Sequence, residues 1–283
     1  MLFSKKRWSL RDNIPVRGKN NVKKWIFVFS STHRAGSTLM QRVVNTHPNA
    51  HIWGETNVGP NLIKIREVFR QKESEGSSED VRQKFVRGNR DAWTALMIPD
   101  YERLIAGFRA MLETMLGMDG KICGSKEVSY TRPILDLYKE VLPSAKYVLL
   151  VRNPLDVYLS LRRQSWWPSN RRTDSDVNKD VPRHIRMARG WAERTSGFLQ
   201  FSQDNPSRSM LVTYESISVD ACRKIFDFLD IEFDELAVKS VLGNRIGESR
   251  EKVEISTEET EAIVNETAEV YQAVYGEKLV CNK

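Results

Sequence analysis

Residues 146–151 read KYVLLV, a β-prone run with no polar alternation. A strand of that kind is buried on both faces, and a parallel sheet covered by helices is what offers two apolar faces. The rest of the chain agrees with that constraint. Residues 25–30, 50–53, 121–124 and 210–213 read as further short strands. Between them, apolar spacings of three and four predict helices over 39–46, 101–116, 134–142, 183–200 and 221–229. A last helix opens on the capping box Ser256-Thr257-Glu258-Glu259 and stops at Gly276. Strands alternating with helices predict an α/β fold with a central parallel sheet flanked by helices. No repeat or linker divides the chain, so a single domain over 1–283 is expected, with 1–22 as a basic N-terminal extension. Residues 71–90 are polar and predict an irregular surface excursion. Residues 164–182 predict a long mobile loop, in which Trp166 and Trp167 either stack on a ligand or anchor the loop.

Two strand ends carry chemistry. The strand at 25–30 runs into Ser31-Thr32-His33-Arg34-Ala35-Gly36-Ser37-Thr38 and then a helix. The turn offers backbone N–H groups, hydroxyls and a permanent cation, and the helix directs its positive end at the same place. Arginine recognises tetrahedral oxyanions with two parallel hydrogen bonds. The loop is not the GxxxxGK pattern of Mg²⁺-triphosphate enzymes, which argues against a nucleotide kinase. The second turn begins at Arg152, directly after KYVLLV, where ligands of open α/β sheets bind. Pro154 sits in the first turn of the next helix, and Ser160, eight residues after Arg152, can reach back to the same oxyanion.

Composition narrows the ligand. Lys plus Arg number 44 against 37 Asp plus Glu, a net charge of +7. With no basic tail or nucleic-acid motif, a small anion is favoured over nucleic acid. Cys123, Cys222 and Cys281 have no metal-ligand or CxxC spacing and read as reduced thiols. The N-terminal stretch has no apolar core, and no run approaches the ~20 apolar residues of a membrane span. A cytoplasmic protein without a bound metal is expected, and a homo-oligomer is compatible with the sequence.

Together the two turns resemble the sulfotransferase family that uses 3′-phosphoadenosine 5′-phosphosulfate (PAPS). The likeness covers roughly residues 25–165. It is most similar to the tyrosylprotein sulfotransferase branch and its soluble bacterial relatives, on Arg34-Ala35-Gly36-Ser37-Thr38-Leu39-Met40, His47-Pro48, Gly54-Glu55-Thr56 and Cys123-Gly124-Ser125-Lys126-Glu127. The resemblance implies a P-loop-like sulfotransferase fold. It implies a 5′-phosphosulfate loop at Arg34, Ala35, Gly36, Ser37, Thr38 and Leu39, and a 3′-phosphate site at Arg152 and Ser160. Tyr214-Glu215 and 244–250 resemble segments that contact the nucleotide, although Tyr214 reads equally as a core residue. The sequence departs from the branch in having His33 where proline is usual, one acidic residue at 53–55 where two are common, and no membrane anchor.

The implied reaction moves SO₃ from PAPS to an acceptor oxygen or nitrogen, leaving 3′-phosphoadenosine 5′-phosphate. By the resemblance Glu55 is the base, and Arg34 and Lys126 are the cations that meet developing charge. His33 and His51 are the alternative bases, His33 ranking first of the two. The acceptor is a small molecule with a hydroxyl or amine, or a tyrosine in a peptide. A nucleotide-binding module without catalysis is the remaining alternative.

Overall fold

In the computed structural model the described residues are 23–74, 78–89, 98–117, 121–164, 167, 181–244 and 253–279. Five strands, β1 (Lys24–Ser30), β2 (Ala50–Trp53), β3 (Ile122–Val128), β4 (Lys146–Val151) and β5 (Ser209–Thr213), form one sheet in the order β2-β3-β1-β4-β5. Every pairing is parallel. The sheet therefore has all its carboxyl ends along one edge. From β1 the chain moves toward β2, and from β4 it moves the opposite way to β5. The crevice between the ends of β1 and β4 is the topological switch point, where open α/β sheets bind ligands.

Alternating side chains of β1 build two cores. Trp25, Phe27 and Phe29 join Tyr147 and Leu149 of β4 on one face. That face is covered by α2 (Val58–Ser74), α4 (Tyr101–Leu116), α5 (Arg132–Val141), α6 (Pro154–Arg162), α7 (Arg183–Asp204) and α10 (Thr257–Tyr275). Ile26 and Val28 join Val148 and Leu150 on the other face, under α1 (Ser37–Val44), α8 (Val219–Leu229) and α9 (Glu235–Gly243). Residues 147–151 of β4 have no exposed surface, as an unalternating run requires. The capping box predicted at Ser256 and Glu259 is present, and Gly276 closes α10 in the left-handed region at φ +72°.

Two expectations fail. Residues 71–90 are largely helical: α2 runs to Ser74 and α3 spans Ser78–Val86. Along α2 the buried positions are Gly59, Leu62 and Arg66, a stripe too narrow and too polar to register as an apolar period. β3 also runs past Gly124 to Val128, with Ser125, Lys126 and Glu127 all buried. Its place between β2 and β1 pulls polar residues inside that a pattern reading assigns to a loop. The basic extension 1–22, Trp166, most of the loop 164–182, residues 245–250 and Cys281 lie outside the described residues. Cys123 and Cys222 are buried on opposite faces of the sheet, and burial pushes the Cys222 thiol up to about 11.

Candidate functional site

The loop after β1 is held in an unusual shape. Arg34 has φ +66° and Gly36 φ +86°. The left-handed region is unfavourable for an arginine and natural for glycine, so the surroundings must enforce it. They do so from three sides. Ser30 Oγ donates to the Thr32 carbonyl at 3.0 Å. An Arg152 terminal nitrogen donates to the Arg34 carbonyl at 3.0 Å. Arg194, from α7, donates through Nε to the Ser31 carbonyl.

Gly36 is needed for a further reason. A Cβ there would lie 2.3 Å from the Tyr214 ring. The same ring lies under the Arg152 guanidinium, 4.3 Å from its centroid, in cation–π geometry. Tyr214 thus forms a wall shared by the two turns. Gly36→Ala combines left-handed strain with this collision, and is expected to cost about 2–4 kcal/mol of stability. Urea unfolding measures it, and Tyr214→Ala in the same chain is expected to recover only the steric part.

The two arginine turns meet. Arg34 Nε donates to Ser160 Oγ at 3.0 Å, so the serine of α6 touches the first loop directly. Burial, followed by the neighbouring charge of Arg152, pushes the Arg34 guanidinium below its ordinary range. Two cations brought together in a half-buried crevice favour an anion between them. The indole N–H of Trp191 donates to the Arg152 carbonyl at 2.8 Å and fixes the start of the second turn. Glu215 accepts from the Asn153 N–H at 2.8 Å and from the Tyr275 hydroxyl at 2.9 Å, tying that turn to α10.

Donors of the two turns are left over. Of the seven buried side-chain polar atoms that lack a hydrogen-bond partner among the described residues, three, Arg152 Nε, Ser31 Oγ and Thr32 Oγ1, belong to these two turns. α1 begins at Gly36 with no side-chain cap and no acidic residue in its first turn. The helices α4, α6, α8, α9 and α10 each carry a side-chain cap, whereas α5 and α7 share with α1 the lack of one. Buried donors are normally satisfied, so this set fits a polyanionic ligand that accepts from the loop, the helix end and the arginine together. Ala35 and Ser37 are buried in this turn, Thr38 is exposed, and Leu39 is half-buried.

A second group stands beside the loop. Lys126 leaves buried β3 with its side chain 7% exposed, and its Nζ lies 2.5 Å from Glu55 Oε1. Glu55, just past β2, is 37% exposed and so faces outward from the pair. His33 keeps an exposed surface, yet desolvation by the packed loop lowers its pKa. Glu55 opposes that shift, while Arg194, Lys126 and Arg34 reinforce it. These fields place His33 in the neighbourhood of the Glu55–Lys126 pair and make it neutral at pH 7. His51 instead packs edge-on against Trp53, with centroids 4.3 Å apart.

The profile of the sulfotransferase family matches residues 26–235. This chain belongs to the sulfotransferase family. Protein-tyrosine sulfotransferase A of Caenorhabditis elegans is 26% identical over 139 residues, 48% of this chain and 32% of that protein. The matched stretch thus spans about a third of the relative's length. Among solved structures, sulfotransferase STF9 from Mycobacterium avium aligns with TM-score 0.49 and 14% identity, covering 91% of this chain and 78% of that one. The sulfotransferase domain of the Synechococcus PCC 7002 olefin synthase aligns with TM-score 0.47 and 20% identity, covering 85% and 82%. Among its described residues no helix is long and apolar enough to cross a membrane, and no three His, Cys, Asp or Glu side chains group as metal ligands.

The fold therefore links Ser160, Arg34, Arg152 and Tyr214, each touching the next, and joins Glu55 to Lys126 beside them. Sequence reasoning missed Arg194, which sits mid-helix far from any motif, and Glu127, whose polar neighbours disguised a strand. Of the predicted sulfotransferase-type loop at 244–250, only Asn244 is described, and its carbonyl accepts from Arg42 at 3.0 Å.

Proposed function

We propose that this chain is a PAPS-dependent sulfotransferase that sulfates a hydroxyl or amine of a small-molecule acceptor by in-line transfer. One observation carries the reading. Arg34 and Arg152 converge with Ser160 at the switch-point crevice, among buried donors that lack partners. When bound, PAPS supplies a sulfuryl group activated as a phosphosulfate anhydride. The amides of 35–38 and the start of α1 bind the 5′-phosphate side, and Arg152 with Ser160 binds the 3′-phosphate. Tyr214 walls the nucleotide side through its contacts with Gly36 and Arg152. Arg34 and Lys126 oppose charge that grows on the transferring group. Glu55, exposed at its outer side, takes the proton from the acceptor atom.

A second reading is favoured by the similarity to a C. elegans protein-tyrosine sulfotransferase, namely that the acceptor is a tyrosine within a peptide. Incubation with ³⁵S-labelled PAPS and parallel panels of phenols, alcohols, amines and tyrosine peptides separates the two. Label in none of the acceptors, with none lost from the donor, would overturn the assignment. ATP in place of PAPS controls for phosphate, which adds nearly the same mass.

Arg152→Ala is expected to weaken binding of 3′-phosphoadenosine 5′-phosphate about 10–100-fold, the worth of hydrogen bonds from one charged group. Titration calorimetry measures it, and equal affinity in the variant would remove Arg152 from the nucleotide site.

A further inference from the structure

Lys126 and Glu127 are successive residues of β3 and point to opposite faces of the sheet. Lys126 grips Glu55 directly. Glu127 grips the chain that follows it. Its side chain is fully buried. The Thr56 N–H donates to Oε1 at 3.0 Å and to Oε2 at 3.2 Å. The Thr56 hydroxyl donates to Oε1 at 2.5 Å, and the Asn57 N–H to Oε2 at 3.2 Å. Among the described residues no lysine or arginine pairs with this carboxylate; donors of the 56–57 segment meet it. Burying a carboxylate is costly unless such donors are present, so the segment and the carboxylate require each other. Asn57, at φ +52°, holds a left-handed turn that this clasp stabilises.

We infer that Glu127 is a positioning residue for the base. It clasps Thr56 and Asn57, and so holds Glu55 within reach of Lys126 and the Arg34 loop. The inference rests on the function proposed above. It mounts base and cation on one strand: β3 sets Lys126 through its own backbone and Glu55 through the Glu127 clasp. A shift of β3 would move both together and leave their spacing intact.

Glu127→Gln keeps the shape and replaces one acceptor oxygen by an amide that faces N–H donors. It is expected to lower kcat about 10–100-fold, since ~1 Å of misplacement costs up to ~10²-fold in rate. Donor KM is expected to stay near wild type, because the clasp does not touch the arginine crevice. Hydrogen exchange at the Thr56 and Asn57 amides is expected to accelerate selectively. Thr56→Val, which removes the hydroxyl that donates to Glu127 and weakly accepts from the Val58 N–H at 3.4 Å, is expected to act in the same direction with smaller size, and serves if Glu127→Gln does not fold. Unchanged kcat, or kcat and donor affinity falling together with the folded fraction, would overturn the inference. Should the wild-type protein transfer nothing from PAPS, the functional reading falls, and the exchange measurement alone decides the clasp: selective acceleration supports it, unchanged exchange overturns it.

Discussion

Arg34→Ala is expected to abolish measurable turnover in a chain that still folds. The carbonyl of residue 34, which accepts from Arg152, survives the substitution. Alanine must occupy φ +66°, at a cost of about 1–2 kcal/mol, no worse than arginine already bears. What disappears is the cation, together with the Nε bond that orients Ser160. Charged clamps on a transferring phosphoryl group are worth about 10³–10⁵ in rate, and sulfuryl transfer poses the same electrostatic demand. Burial adds force to the argument. A guanidinium pushed below its ordinary range by desolvation and by Arg152 gains most when an anion arrives. Single-turnover release of ³⁵S from bound donor measures the step without interference from product release. Arg34→Lys, which keeps charge but loses the fork, is expected to fall between the two. An alanine variant turning over near the wild-type rate would remove Arg34 from the transfer step.

How far the site was legible depends on whether local sequence or neighbouring strands set each residue's environment. KYVLLV and WIFVF announce buried strands because, past Lys146, every position is apolar or aromatic, and an environment apolar on both faces is what they need. The Arg34 loop and the Arg152 turn follow those strands immediately, so both could be placed at one edge of the sheet. Their adjacency comes from the order β3-β1-β4, which no local pattern encodes. β3 shows the opposite case. Ser125, Lys126 and Glu127 look like a solvated turn, yet they lie in a central strand, buried because β1 and β2 flank them. Glu127 was invisible for that reason: its role is defined by Thr56 and Asn57, 71 and 70 residues away along the chain. Arg194 was hidden likewise, since only the docking of α7 brings it to Ser31. Gly36 was legible as a hinge, but the Tyr214 ring that forbids a side chain there arrives from the turn just past β5.

Glu55→Gln is expected to leave donor affinity unchanged and to lower kcat about 10²–10⁴-fold, the range of a general base. The geometry separates the two quantities. Glu55 contacts Lys126 and lies outside the set that links Arg34, Arg152, Ser160 and Tyr214. Glutamine fits the same space and can still accept from Lys126, so the cation stays in place while proton acceptance is lost. His33 supplies the competing outcome. Desolvation, helped by three nearby cations, holds its pKa below the ordinary 6.5, so it is a neutral acceptor at neutral pH. If His33 took the proton, Glu55→Gln would run at nearly full rate. That rate would be lost as pH falls through the depressed histidine value, because protonation removes the acceptor. If Glu55 takes the proton, the variant is slow at every pH and His33→Gln is mild by comparison. A kcat–pH profile of both variants, beside donor affinity by calorimetry, distinguishes these outcomes. A fast, acid-sensitive Glu55→Gln enzyme would transfer the base role to His33 and leave Glu55 as the counter-charge of Lys126.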